Sequence, residues 1–214
     1  IDVRGKPLLA HLVDTYKSAG IGEVVVVRGY KKDKINLPSI TTVDNDMFAN
    51  TGEVASLSCA VDHIYDDCIV SYGDILFRQY YLDQLLASDA DITLLVDALW
   101  KDRKSDTDDR VRDLVKCSRP FSGDYLDDDP VALSRIGNDL EDADVDGEWI
   151  GVSRLNGRGS ELVWAEIEAM GKDGSLPKSC LLDLFGRLGE NGADIRVIYV
   201  PGQWLDVDDA ADIT

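Results

Sequence analysis

The stretch from Ile69 to Phe77 (I-V-S-Y-G-D-I-L-F) constrains the chain most. A short apolar run enters it, Tyr72-Gly73-Asp74 interrupts it, and Ile75 to Phe77 resumes it. Apolar runs of this length fit a buried strand of a mostly parallel sheet. Glycine permits close backbone approach, and an aspartate just beyond it stands where open α/β sheets bind ligands. A carboxylate at that point suits Mg²⁺ with a polyphosphate. It equally suits the cap of a following helix, and on this stretch alone both readings stand.

Elsewhere, strand-like and helix-like segments alternate. Leu8, Leu9, Leu12, Val13 and Tyr16 repeat at helical spacing after Pro7, and Ala19-Gly20 closes that helix. Strands are expected over 23–27, 41–43, 91–96, 111–117, 148–155 and 195–200. Helices are expected over 53–64, 80–86, 161–170 and 181–188, with Thr51 capping the first of these. Asp44 to Thr51 reads as a loop. Ser122 to Asp146 is acidic and poor in large apolar residues, and reads as irregular and solvated. The alternation argues one α/β domain over 1–214 with a mostly parallel sheet.

Composition excludes several classes. With 41 acidic against 22 basic residues the formal charge is −19, which argues against a nucleic-acid backbone as partner. The acid surplus is compatible with a salt-adapted surface. Lys31, Lys32 and Lys34 form the one basic cluster and read as a solvated helix start. No apolar run approaches the ~20 residues of a membrane helix. Cys59, Cys68, Cys117 and Cys180 are scattered, which argues against zinc and for free thiols in a reducing cytoplasm.

Carboxylates recur at strand ends: Asp74, then Asp206 and Asp208 in W-L-D-V-D. Two apart in extended backbone, Asp206 and Asp208 share a face. One of them with Asp74 could grip a nucleotide's phosphates through Mg²⁺, a site working by positioning and charge neutralisation. The alternative is that Asp206 or Asp209 caps a last helix starting near Ala210. Asn50, Glu53 and Ser56 cluster where the helix after the loop begins.

R-G-K-P-L-L-A-H-L (Arg4 to Leu12), E-V-V-V-V-R-G-Y (Glu23 to Tyr30), N-x-x-x-x-N-x-x-E-x-x-S-L (Asn45 to Leu57), S-Y-G-D-I-L-F (Ser71 to Phe77) and W-L-D-V-D (Trp204 to Asp208) follow in order. Together they resemble the nucleotidyltransferases. They are most similar to the cytidylyltransferase domains of phosphonate biosynthesis, which are often fused to a phosphoenolpyruvate mutase. The resemblance implies a Rossmann-like three-layer nucleotide-diphospho-sugar transferase fold with a mostly parallel mixed sheet. It implies CTP plus 2-aminoethyl- or 2-hydroxyethylphosphonate giving a CMP-phosphonate and pyrophosphate, with Mg²⁺ as cofactor. It assigns the metal to Asp74 and to Asp208 or Asp206, with Asp208 favoured. Asn50, Glu53, Ser56 and Tyr72 would line the nucleotide and acceptor pocket.

Sugar-phosphate or choline-phosphate transfer, a non-catalytic nucleotide-binding module, and a glycosyltransferase using the D-x-D motif are the alternatives. A homo-oligomer stays open. Members of the resembled family carry a strand and a glycine-rich loop ahead of the R-G-K-P-like segment. The expectation is therefore a domain incomplete at its amino end, binding CTP weakly by itself.

Overall fold

The computed structural model describes residues 1–102, 111–124 and 126–207. A two-residue-per-strand ribbon, β1 (Asp2–Val3) and β2 (Lys6–Pro7), leads into helix α1 (Leu8–Ser18). Ala19 caps α1, and Gly20 follows at φ +85°, a left-handed turn that glycine adopts freely. Next come β3 (Val25–Arg28), β4 (Thr41–Asp44), the short helix α2 (Glu53–Cys59), β5 (Cys68–Ser71) and β6 (Ile75–Phe77). After them lie α3 (Gln79–Leu86), β7 (Ile92–Asp97), β8 (Leu114–Cys117), β9 (Val131–Gly137) and β10 (Gly147–Leu155). The described chain ends with α4 (Gly157–Asp173), α5 (Leu181–Glu190), β11 (Ile195–Val200) and β12 (Trp204–Asp206).

The main sheet has six strands in the order β5-β10-β7-β11-β9-β8. β7 and β10 are buried along their whole length, with apolar residues predominating in both and Thr93, Asp97, Glu148, Ser153 and Arg154 buried among them. α2, α4 and α5 pack one side of the sheet, around Trp149, Leu155, Met170 and Phe185. α1 and α3 pack the other, around Tyr16, Tyr81, Leu82, Leu95 and Trp204. The result is the three-layer nucleotide-diphospho-sugar transferase fold with a mixed sheet.

Several local expectations change. The parallel share of the sheet is smaller than expected: β7–β11 and β3–β4 are parallel, and the other described pairs are antiparallel. The cause is β10, which returns against both β5 and β7, and the β8–β9 hairpin at the far edge. The acidic stretch is not wholly irregular. Val131, Leu133 and Ile136 form β9 within it, and only Val131 and Ile136 of that strand are buried, so its polar residues disguise it. Ile69 to Phe77 is two strands in two sheets, broken at Tyr72 to Asp74. α2 stops at Cys59 and continues as a separate turn at Val61–His63. Gly52, not Thr51, is its N-cap. The Thr51 hydroxyl instead donates to the Met47 carbonyl at 3.1 Å. α4 begins four residues earlier than 161, because the Asn156 side chain accepts from Gly159 N–H at 2.8 Å and fixes its first turn.

Candidate functional site

Between β5 and β6 the backbone runs exposed through Gly73 and Asp74. β6 then pairs antiparallel with β12, with Ile75 opposite Asp206 and Phe77 opposite Trp204. The ladder closes on a bond from the Val207 N–H to the Asp74 carbonyl at 3.0 Å. Asp74 and Asp206, 132 positions apart in the chain, therefore sit at one end of one ribbon. Asp208, favoured from sequence, and the proposed last helix near Ala210 lie outside the described residues.

Asp97 holds this ribbon in place, and the sequence reading passed over it. It is fully buried at the carboxyl end of β7. Its Oδ1 accepts from Leu99 N–H at 2.9 Å and Gly202 N–H at 3.0 Å, and its Oδ2 accepts from the Trp204 indole Nε1–H at 2.9 Å. The Tyr81 hydroxyl donates to the Gly202 carbonyl at 2.6 Å, so the turn before β12 is held from both sides. A strand-end aspartate after Ile-Thr-Leu-Leu-Val was the available signal.

The second group of expected residues gathers on the other side of Gly73. The Tyr72 hydroxyl lies 2.9 Å from Asp113 Oδ2 and 3.3 Å from Glu53 Oε2. That hydroxyl has one proton, so it donates to one carboxylate at a time. Burial first, and the charges of Asp113 and Glu53 next, push the Tyr72 phenol far above its usual range. The phenol is therefore a neutral donor at every physiological pH. Its ring packs on Trp149 at 5.3 Å and against Gly151, whose φ is +78°. A Cβ there would come within 2.2 Å of the ring, so glycine is required twice over. Asp113 is a residue that sequence reading did not single out; it comes from β8's approach, 41 positions away.

Glu53 also accepts from the Leu181 N–H at 2.9 Å, which ties the start of α2 to the start of α5. Ser56 accepts from the buried Asn45 side chain at 3.1 Å, and the same amide reaches Thr51 at 3.0 Å. Glu53, Ser56, Tyr72 and Gly73 line one end of a cavity of about 580 Å³. Asn50 does not line it; it is exposed, and its carbonyl accepts from Lys178 Nζ at 2.8 Å. Among the expected pocket residues, the structure thus unites Glu53, Ser56 and Tyr72 and leaves Asn50 outside the cavity lining.

Of the basic cluster, Lys32 is tied down by acids. Lys32 pairs with Asp46 at 2.6 Å and Asp44 at 3.2 Å, and Arg28 pairs with Asp44 at 2.8 Å. Asp127 of the acidic stretch receives both Arg119 guanidinium nitrogens at 2.6 and 2.7 Å, a fork that holds its carboxyl below the usual carboxylate range. All four cysteines are free thiols.

Among the described residues, no group of three or more His, Cys, Asp or Glu side chains converges as a metal site. Asp74 and Asp206 offer hard oxygen donors at neighbouring positions. That donor set fits an ion of the Mg²⁺ type, which keeps most of its shell for water and phosphate oxygens. No helix of the described residues is long and apolar enough to cross a membrane.

Residues 1–103 match the sequence profile of the MobA-like NTP transferase domain. Over the full chain there is 21% identity to the CTP:phosphoglutamine cytidylyltransferase of Campylobacter jejuni, covering 88% of that protein. A 38% identical segment of 80 residues is shared with the bifunctional protein GlmU of Rhizobium johnstonii, covering 34% of this chain and 18% of GlmU. Among solved structures, the inositol-1-phosphate CTP transferase from T. maritima superposes with a TM-score of 0.76 at 16% identity, covering 100% of this chain and 81% of that one. The CTP:phosphocholine cytidylyltransferase from Streptococcus pneumoniae gives 0.71 at 18% identity, covering 99% and 84%. The profile matches the amino-terminal part of the chain, and the solved structures share its fold.

Proposed function

We propose that this chain forms the catalytic body of a Mg²⁺-dependent cytidylyltransferase, moving CMP from CTP to a small phosphonate with release of pyrophosphate. The observation that carries the reading is the β6–β12 ribbon, which brings Asp206 beside Asp74. Acidic residues whose backbones share one ribbon end would suit the polyphosphate of a nucleotide through a hard cation. When bound, Mg²⁺ would neutralise charge on the phosphate oxygens; Asp74, Asp206 and Asp208 are the residues that would hold it.

The chain's own residues then position the reactants. The acceptor oxygen attacks the α-phosphorus in line, and pyrophosphate leaves with the electron pair of the broken bond. No side chain acts as nucleophile. Tyr72, held neutral, and Glu53 and Ser56 face the same cavity end and would orient the acceptor, with Asn50 outside the cavity lining. Orientation of two bound reactants supplies much of the rate enhancement in such sites.

The motif resemblance supports 2-aminoethyl- or 2-hydroxyethylphosphonate as acceptor, and with it a fused phosphoenolpyruvate mutase as partner. The likeness to enzymes named for phosphoglutamine, phosphocholine and inositol 1-phosphate favours a second reading, in which the acceptor is a small phosphate monoester. Pyrophosphate release from CTP and Mg²⁺ with each acceptor decides between them. It is measured on residues 1–214 and on the same chain carrying a strand and glycine-rich loop ahead of Ile1. Release with a phosphonate alone supports the first reading; release with phosphocholine or a sugar phosphate alone supports the second; release with none overturns both.

A further inference from the structure

Asn45 is buried with every polar atom committed, and the commitments fix which way each proton points. It follows β4, where its own N–H donates to the Arg28 carbonyl at the end of β3 at 2.8 Å. The Met47 N–H donates to Asn45 Oδ1 at 2.9 Å. A main-chain N–H needs an oxygen there, so the orientation of the amide is set and its nitrogen faces the other way. That Nδ2 donates to Thr51 Oγ1 at 3.0 Å and to Ser56 Oγ at 3.1 Å, which uses both of its protons. The Thr51 hydroxyl passes its own proton to the Met47 carbonyl at 3.1 Å.

Ser56 ends this relay differently. Its oxygen receives the Asn45 proton, while its own proton meets no acceptor among the described residues. Half-buried on α2, it lines the cavity shared with Glu53 and Tyr72. Neither of those two offers a spare proton: the Tyr72 hydroxyl gives its one proton to Asp113 or Glu53, and the Glu53 carboxylate accepts.

We infer that Asn45 is a positioning residue for the transfer reaction. By occupying a lone pair of the Ser56 hydroxyl, it aims the serine proton into the cavity, at an oxygen of the acceptor's phosphonate or phosphate group. This rests on the transferase reading, which places the acceptor against Glu53, Ser56 and Tyr72. Without the Asn45 amide the hydroxyl is free to turn its proton to the Gly52 carbonyl, one helical turn back, as serines inside helices do.

The test is a double-mutant cycle in pyrophosphate release, with KM read separately for the acceptor and for CTP. Asn45→Ala and Ser56→Ala are each expected to raise the acceptor KM ~10-fold with little change in the CTP KM, as loss of one hydrogen bond to a charged oxygen does. The double variant should show the same ~10-fold rise and not ~100-fold, because Asn45 acts through Ser56. Thr51→Val severs the loop-side bond and spares the Ser56 bond; it should lower Tm and leave the acceptor KM in place. Where Asn45→Ala does not fold, Asn45→Asp replaces it. That variant keeps the Met47 bond, and its carboxylate draws the Ser56 proton back out of the cavity, so the same rise is expected. An unchanged acceptor KM in the Asn45 variant, a ~100-fold rise in the double variant, or an equal rise in Thr51→Val overturns the inference and leaves the transferase reading standing. No release by the parent with any acceptor overturns that reading, and this inference with it.

Discussion

The Val207 amide donates to the Asp74 carbonyl at 3.0 Å, and through that bond the last strand of the described chain brings the backbones at Asp74 and Asp206 to one end of one ribbon. Asp74 follows β5, and Asp206 ends β12; the β6–β12 ladder is what makes them neighbours. Asp74→Asn and Asp206→Asn each keep the shape and remove one negative charge. Each is expected to lower turnover ~100-fold with little change in Tm, as loss of one electrostatic stabiliser does. Kinetics at saturating CTP alongside thermal melts check this. Unchanged turnover in both variants would remove the carboxylates from the site.

Asp97 acts at one remove, by holding the turn that carries Trp204. Asp97→Asn keeps an acceptor for Leu99 and Gly202 but turns an amide N–H toward the Trp204 indole N–H. Two donors then face each other in a buried place, at a cost of about 1–3 kcal/mol. Urea unfolding should show that loss, and Trp204 fluorescence should shift. A variant as stable as the parent would mean that Asp97 does not anchor the ribbon.

Gly151 stands under the Tyr72 ring. Gly151→Ala places a methyl group within 2.2 Å of it at a φ of +78°. Overpacking and left-handed strain together are expected to destabilise by about 2–5 kcal/mol. The acceptor KM should rise more than the CTP KM, because the ring is held by Asp113 and Glu53 beside the cavity. Equal changes in both constants would count against an acceptor role for Tyr72.

Burial pushes the Cys68 and Cys117 thiols up to about 11 from the ordinary thiol value of 9.0. The folded chain therefore keeps protons that the unfolded chain releases. Stability is fully present well below pH ~9 and falls as pH rises through it toward ~11. Replacing both with alanine should remove the largest share of that fall between about pH 8 and 9, below the range where the tyrosines of the unfolded chain ionise substantially. Denaturant midpoints across that range check it; an unchanged slope would contradict the burial argument.

What was legible in the sequence followed from local signals. β7 and β11 announce themselves by their mainly apolar, β-branched runs, and α1 by its helical spacing and its Gly20 stop. β9 was hidden because Ser134 and Arg135 sit between its buried residues, at the sheet's far side where one face is wet. The site was half legible. Glu53, Ser56 and Tyr72 came from the family resemblance, and the three line one cavity. Asp97 and Asp113 were not legible: Asp97 showed only as a strand-end aspartate, and its bond to Trp204 and that of Asp113 to Tyr72 span 107 and 41 positions. The antiparallel return of β10 was illegible for the same reason: strand direction is set by long-range pairing, not by composition.

The most direct test of the central claim is pyrophosphate release from CTP and Mg²⁺, with each acceptor in turn. The enzyme is the chain carrying a strand and glycine-rich loop ahead of Ile1, compared with its Asp74→Asn variant. The account predicts release that requires a phosphonate or phosphate acceptor and drops ~100-fold in the variant. Acceptor-dependent release that survives Asp74→Asn undiminished, or no release with any acceptor, would contradict it.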